Sequence, residues 1–153
     1  MPHPLLSGRG YNPVPPLNRA GISSQKKEFW TLAQDLLETF IPNAFAFRLF
    51  VVQGAKQNTS HCTIPLHVDR NNLAPQFIIF FGSFGGAKLV CYKDEEQKEK
   101  VELEAKEVLW AMDGRLPHEV VFEEFTGDSY TVTYYVQVAS KQTKTLFPPI
   151  KIQ

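Results

Sequence analysis

Tyr130-Thr-Val-Thr-Tyr-Tyr-Val-Gln-Val138 alternates without a break. Tyr130, Val132, Tyr134, Val136 and Val138 share one face, and Thr131, Thr133, Tyr135 and Gln137 share the other. A period of two belongs to a strand, and β-branched and aromatic side chains suit its pleated surface. Working outward, the same texture recurs in short runs at 45–52, 76–81, 88–92, 101–104, 108–112 and 119–122. Gly82-Ser-Phe-Gly-Gly86 reads as the turn between two consecutive strands, and the mixed charges of 93–100 read as a solvated hairpin tip. Short strands separated by Gly, Pro and Asp predict a mainly β domain, a sandwich or jelly roll.

One segment has a different period. From Gln25 to Phe40, residues Phe29, Leu32, Ala33, Leu36, Leu37 and Phe40 recur at helical spacing, with Ser23 or Ser24 placed to cap the start and Pro42 to end it. Such a stripe predicts one main helix packed on the sheet. Residues 1–22 hold five prolines, which rule out a continued helix or a central strand and predict a segment lying on the surface. The expected organisation is a Pro-rich N-terminal segment (1–22), a jelly-roll domain (23–140) and a C-terminal tail (141–153).

The 153 residues suit one domain, and 43% hydrophobic content with twelve Phe excludes disorder along the whole chain. No apolar run approaches membrane-spanning length, and the N-terminus lacks the pattern of a secretory signal. Two cysteines, Cys62 and Cys91, cannot build a disulfide framework or a zinc site. The expected location is therefore intracellular, nuclear or cytoplasmic. Sixteen basic and sixteen acidic residues give zero net charge, which argues against a large surface that coats nucleic acid. Residues 1–72 nevertheless carry +3 and 73–153 carry −3.

The chemistry centres on histidine, of which there are four. His67-Val-Asp69 follows a strand-like stretch, and His118 opens another strand 49 residues beyond Asp69. Two imidazoles and one carboxylate on strands that a jelly roll brings together can form the facial triad of a non-haem Fe(II) oxygenase. Three protein ligands take one face of the octahedron and leave the other open to a cosubstrate and O2. H-x-D alone is a weak pattern, since a histidine bonded to a turn-forming aspartate has the same spelling. His3 and His61 read as bystanders, and Trp110 and Tyr130 as core.

The surrounding blocks carry more information. They are His67-Val-Asp-Arg-Asn-Asn72, Gln76-Phe-Ile-Ile-Phe-Phe-Gly82, Phe84-Gly-Gly-Ala-Lys-Leu89, Val108-Leu-Trp-Ala-Met-Asp-Gly-Arg-Leu-Pro-His118 and Phe125-Thr-Gly-Asp-Ser-Tyr-Thr-Val-Thr-Tyr-Tyr135. In that order, over roughly residues 45–138, the chain resembles the 2-oxoglutarate/Fe(II)-dependent dioxygenase superfamily, and within it the TET/JBP-like branch. The resemblance implies a double-stranded β-helix, Fe(II), 2-oxoglutarate and O2. It also implies hydroxylation of a C–H bond, the methyl group of a modified nucleobase, with nucleic acid as partner. His67, Asp69 and His118 then stand for the metal ligands and Asn72 for a substrate contact. The family's arginine for the distal carboxylate of 2-oxoglutarate is absent, because Ser129 occupies its place. Lys88 and Arg115 are the candidate replacements. Hydroxylation of a polypeptide or small molecule is the alternative within the enzyme class. A catalytically decayed binding module is the alternative outside it.

Overall fold

The structure, a computed structural model, describes residues 11–13, 27–48, 50–57, 64–104, 106–137 and 148–152. The Ser23/Ser24 cap, His3, His61, Cys62, Val138 and positions 141–147 of the tail lie outside the described residues. In chain order the elements are β1 (Tyr11–Pro13), α1 (Lys27–Phe40), α2 (Ala44–Phe47), β2 (Val51–Gln57), β3 (Ile64–His67) and β4 (Gln76–Phe81). They continue as β5 (Phe84–Tyr92), β6 (Lys100–Leu103), β7 (Trp110–Met112), β8 (His118–Gly127), β9 (Ser129–Tyr135) and β10 (Ile150–Lys151). Two antiparallel sheets result, one ordered β1-β2-β9-β4-β7-β10 and the other β3-β8-β5-β6. This is a double-stranded β-helix with one main helix outside it, the mainly β fold that the strand pattern predicts. Among the described residues no helix is long and apolar enough to cross a membrane.

Each sheet position follows from local chemistry. β1 carries Pro13 and pairs only with β2, at the sheet edge where proline costs no ladder bond. β9 is central, flanked by β2 and β4, and its alternation sorts residues between two environments. Val132 and Tyr134 lie in one apolar cluster with Val52, Phe77, Ile79 and Ala111 and with Trp30, Ala33 and Leu37 of α1. Thr131, Thr133 and Tyr135 face the other way, into the space between the sheets. A second cluster, including Phe80, Leu89, Cys91, Leu103, Met112 and Val120, fills the remainder of that space. The apolar face of β9 thus lies under the helix, and its hydroxyl-bearing face looks inward.

Two details depart from the sequence reading. Residues 45–52 do not form one strand: Ala44–Phe47 make a single helical turn and β2 begins at Val51. Asn43 adopts a left-handed φ of 62°, and the ring of Phe45 is used at a corner, 5.3 Å from Trp30 and 5.2 Å from Phe50. An apolar run this short has no period that separates a strand from a turn of helix. On α1, Leu32 is 61% exposed, and Trp30 is a buried anchor outside the expected stripe. The turn at 82–86 joins β4 to β5 as expected. Gly82 there has φ +115°, and any Cβ would meet the Asp128 carbonyl oxygen.

A candidate metal centre between the sheets

β3 and β8 run antiparallel with His67 directly opposite His118. Residues 51 positions apart in sequence thereby become cross-strand neighbours, their ring centroids 4.3 Å apart. The chain leaves β3 into a turn held by Asp69 N–H donating to Gly114 O (2.7 Å) and Asn72 N–H donating to Asp69 O (3.2 Å). That turn carries the Asp69 carboxylate back to the two rings. Asp69 Oδ2 lies 3.2 Å from His118 Nε2 and 3.9 Å from His67 Nε2, and the three ligand atoms all lie within 4.8 Å of one another. Two ligands about 2.1 Å from one metal, at right angles, lie about 3 Å apart, so the spacing is that of a three-donor site.

Both imidazoles are oriented from behind. His67 Nδ1 is 2.7 Å from Pro65 O, and His118 Nδ1 is 2.8 Å from Leu116 O. A carbonyl only accepts, so Nδ1 carries a proton in each ring, and Nε2 is the atom left facing Asp69, where a metal ion would take its lone pair. This backbone buttressing fixes tautomer and direction, as metal-binding histidines require. The imidazoles are nearly sealed and the carboxylate is 25% exposed, so the centre has a dry wall and an open side. Two neutral nitrogens and one carboxylate oxygen fit a divalent transition metal of the iron type. Cys91 opposes His118 in the β5–β8 ladder, but burial pushes its thiol up to about 12. Its side chain packs in the second apolar cluster, and the group of converging donors is His67, Asp69 and His118 without it.

The centre opens on a cavity of about 100 Å³. Ile78, Phe80, Leu89, Met112 and Val120 supply its apolar wall; Gln53, Asn72, Gln76, Thr131, Thr133, Tyr135 and Gln137 supply polar groups. Asn72 sits at this wall, buried, and its amide donates to Gln76 Oε1 at 2.8 Å. Gly114 makes room for that pair, since a Cβ there would collide with Gln76 Oε1. Sequence reasoning missed Gln76 and the inward hydroxyls of β9. The only signal for the hydroxyls was the polar face of 131–137, which alternation reveals without saying whether it meets solvent or a cavity.

Neither candidate cation for 2-oxoglutarate reaches the cavity. Lys88 alternates with Leu89, so when Leu89 faces inward Lys88 faces out. Its Nζ pairs with Glu102 on the outer surface at 3.3 Å. Arg115 is folded onto Asp113: Nε donates to Oδ1 at 2.9 Å and an Nη to Oδ2 at 2.7 Å. The Asp113 hydrogen bonds raise its pKa further, and the pair acts as a clasp within the turn that delivers His118. Ser129 is fully buried at the inner end of β9, where it supplies no charge. Among the described residues lining the cavity there is no Lys or Arg. The donor set fits the metal; the lining does not fit a dicarboxylate.

No family model matches the chain, and no curated protein matches it. Among solved structures it is similar to a prolyl-4-hydroxylase from Pseudomonas putida, with 15% identity and a TM-score of 0.51 over 86% of this chain and 73% of that one. It is also similar to FeII HppE (12% identity, TM-score 0.41, 57% of this chain and 42% of that one). A third likeness is to an oxalate decarboxylase from B. subtilis (15% identity, TM-score 0.41, 60% of this chain and 22% of that one). The chain spans less than half the length of the latter two. At such identities the prolyl-4-hydroxylase bears on the fold alone: both chains are built on the same double-stranded β-helix.

Proposed function

We propose that this chain is an Fe(II)-dependent oxygenase that hydroxylates a C–H bond, with a 2-oxo acid as reductant. The observation that carries the reading is the convergence of His67 Nε2, His118 Nε2 and an Asp69 oxygen within 4.8 Å at the wall of an inter-sheet cavity. Iron(II) held there supplies open coordination positions and the redox chemistry that O2 requires. The chain's own part is to hold and orient. The carbonyls of Pro65 and Leu116 fix the rings, the Asp69–Asn72 turn returns the carboxylate, and the apolar wall keeps bulk water off the reacting groups. The proposed substrate is the methyl group of a modified nucleobase presented singly to the open side; the sequence resemblance supports this choice.

The test uses the full chain with Fe(II), a 2-oxo acid and O2, offered methylated DNA, methylated RNA and a peptide library in turn. Mass spectrometry should find an O2-dependent gain of one oxygen atom on a methylated nucleic acid, abolished by Asp69→Ala. Oxygen gained by a peptide instead overturns the nucleobase assignment. Oxidation that survives Asp69→Ala overturns the centre itself.

A further inference from the structure

The turn at 113–117, between β7 and β8, bonds to two of the three metal ligands at once. Its Gly114 O accepts the Asp69 N–H at 2.7 Å, and its Leu116 O lies 2.8 Å from His118 Nδ1. Its Pro117 O accepts the Tyr92 N–H at 3.0 Å, which ties the turn to β5. Asp69 follows β3 and His118 opens β8, so this turn sets one ligand against the other.

Close packing makes that turn hard to hold. A Cβ at position 114 would collide with Gln76 Oε1, the acceptor of the Asn72 amide, so the position is confined to glycine. Glycine has the widest choice of backbone conformations and loses the most on being fixed. The residues on either side supply the missing constraint. Asp113 Oδ1 accepts the Arg115 N–H at 3.0 Å and Arg115 Nε at 2.9 Å, while Oδ2 accepts an Nη at 2.7 Å. The Leu116 N–H donates to Asp113 O at 3.1 Å. The carboxylate has no exposure and the Arg115 side chain only 14%, so water competes weakly for these bonds. One carboxylate thus grips both the backbone and the side chain of Arg115 across Gly114.

We infer that Asp113 and Arg115 are positioning residues of the metal centre. Their fork presets the 113–117 turn, and Gly114 O and Leu116 O then aim Asp69 and His118 before a metal arrives. Neither residue is among the three converging donors. The inference rests on the metal centre of the function proposed above and adds the groups that set iron affinity from outside it. A donor set held in place beforehand spends less entropy on binding. Removing the partners that orient metal ligands weakens binding about 10–100-fold.

The experiment uses the full chain carrying Asp113→Asn and Arg115→Met together. The double change removes one negative and one positive charge, so net charge near the centre is kept and no buried charge is left unpaired. Anaerobic calorimetry with Fe(II) alone, on protein shown to be folded by circular dichroism, should find affinity weakened about 10–100-fold. A second reading needs no metal. In the iron-free protein the Asp69 amide should exchange its hydrogen faster than in the wild type, by more than any change in the amides of β9. Arg115→Lys keeps the charge without the planar fork and should bind iron with an affinity between the two. It carries the test if the double variant does not fold, and there affinity equal to wild type overturns the inference. Equal affinity in the folded double variant overturns it as well, as does Asp69 exchange that rises only in step with β9. A wild type that takes up no iron overturns the proposed function too.

Discussion

At the scale of single residues, the distinction that matters is between a charge that faces the cavity and one that is merely near it in sequence. Lys88 pairs with Glu102 across an exposed edge, both side chains about half exposed. Such pairs contribute little. Lys88→Ala should change stability by no more than about 0.5 kcal/mol and leave metal affinity unaltered, as denaturant melts and calorimetry would register. Arg115 is the opposite case, because the Asp113 side chain it clasps has no exposure at all. Arg115→Ala strips a buried carboxylate of its cation and should destabilise by about 3–5 kcal/mol. Replacing the pair together, with Asp113→Asn and Arg115→Met, should cost less than Arg115→Ala alone. Equal costs in the melts would mean that the clasp carries no coupling. The convergence of Asp69 and the two histidines was expected in sequence because H-x-D follows one strand and His118 opens another, and a jelly roll brings such strands together. The roles of Lys88 and Arg115 were not, because the direction of a side chain depends on strand phase and on a local partner two residues away.

At the scale of elements, the helix α1 is tied to the sheet by packing and by one bond, Tyr134 Oη donating to Ala33 O at 2.6 Å. Tyr134→Phe should cost about 1 kcal/mol, the ordinary net worth of such a bond. Burial raises the Tyr134 phenol above its usual range. A raised value in the folded state means that its stabilisation is complete below about pH 10 and is lost as pH rises further. Urea melts across the alkaline range should therefore show a decline that Tyr134→Phe reduces; an unchanged decline would assign it elsewhere. Arg48, which follows α2, donates to Ala74 O and Pro75 O and pins the loop between Asn72 and Gln76. Helix and strands announced themselves through periods of 3.6 and 2, as in Gln76–Phe81, whose limits agree between sequence and structure. The stretch 45–52 did not. Its residues are apolar apart from Arg48, so position at a corner between α1 and β2, which no local pattern encodes, decided its form.

At the scale of the whole molecule, the β-helix solves one problem: it brings the start of β8 against the end of β3 and leaves a polar-lined space between two sheets. The sequence showed the two faces of β9; only the placement of α1 over one of them determines that the hydroxyl face is the cavity wall. A site assembled this way should stabilise the fold when filled. Metal at one hundred times its dissociation constant adds about 2.7 kcal/mol, visible as a rise in melting temperature absent from Asp69→Ala. The central claim, that His67, Asp69 and His118 form one metal centre, is tested most directly by anaerobic Fe(II) titration of the wild type and Asp69→Ala, both checked as folded. The expected result is one iron per chain in the wild type and affinity weakened by more than about a hundredfold in the variant, beyond the loss typical of an outer-shell partner. Equal affinity in the two proteins, or no uptake by the wild type, would contradict it.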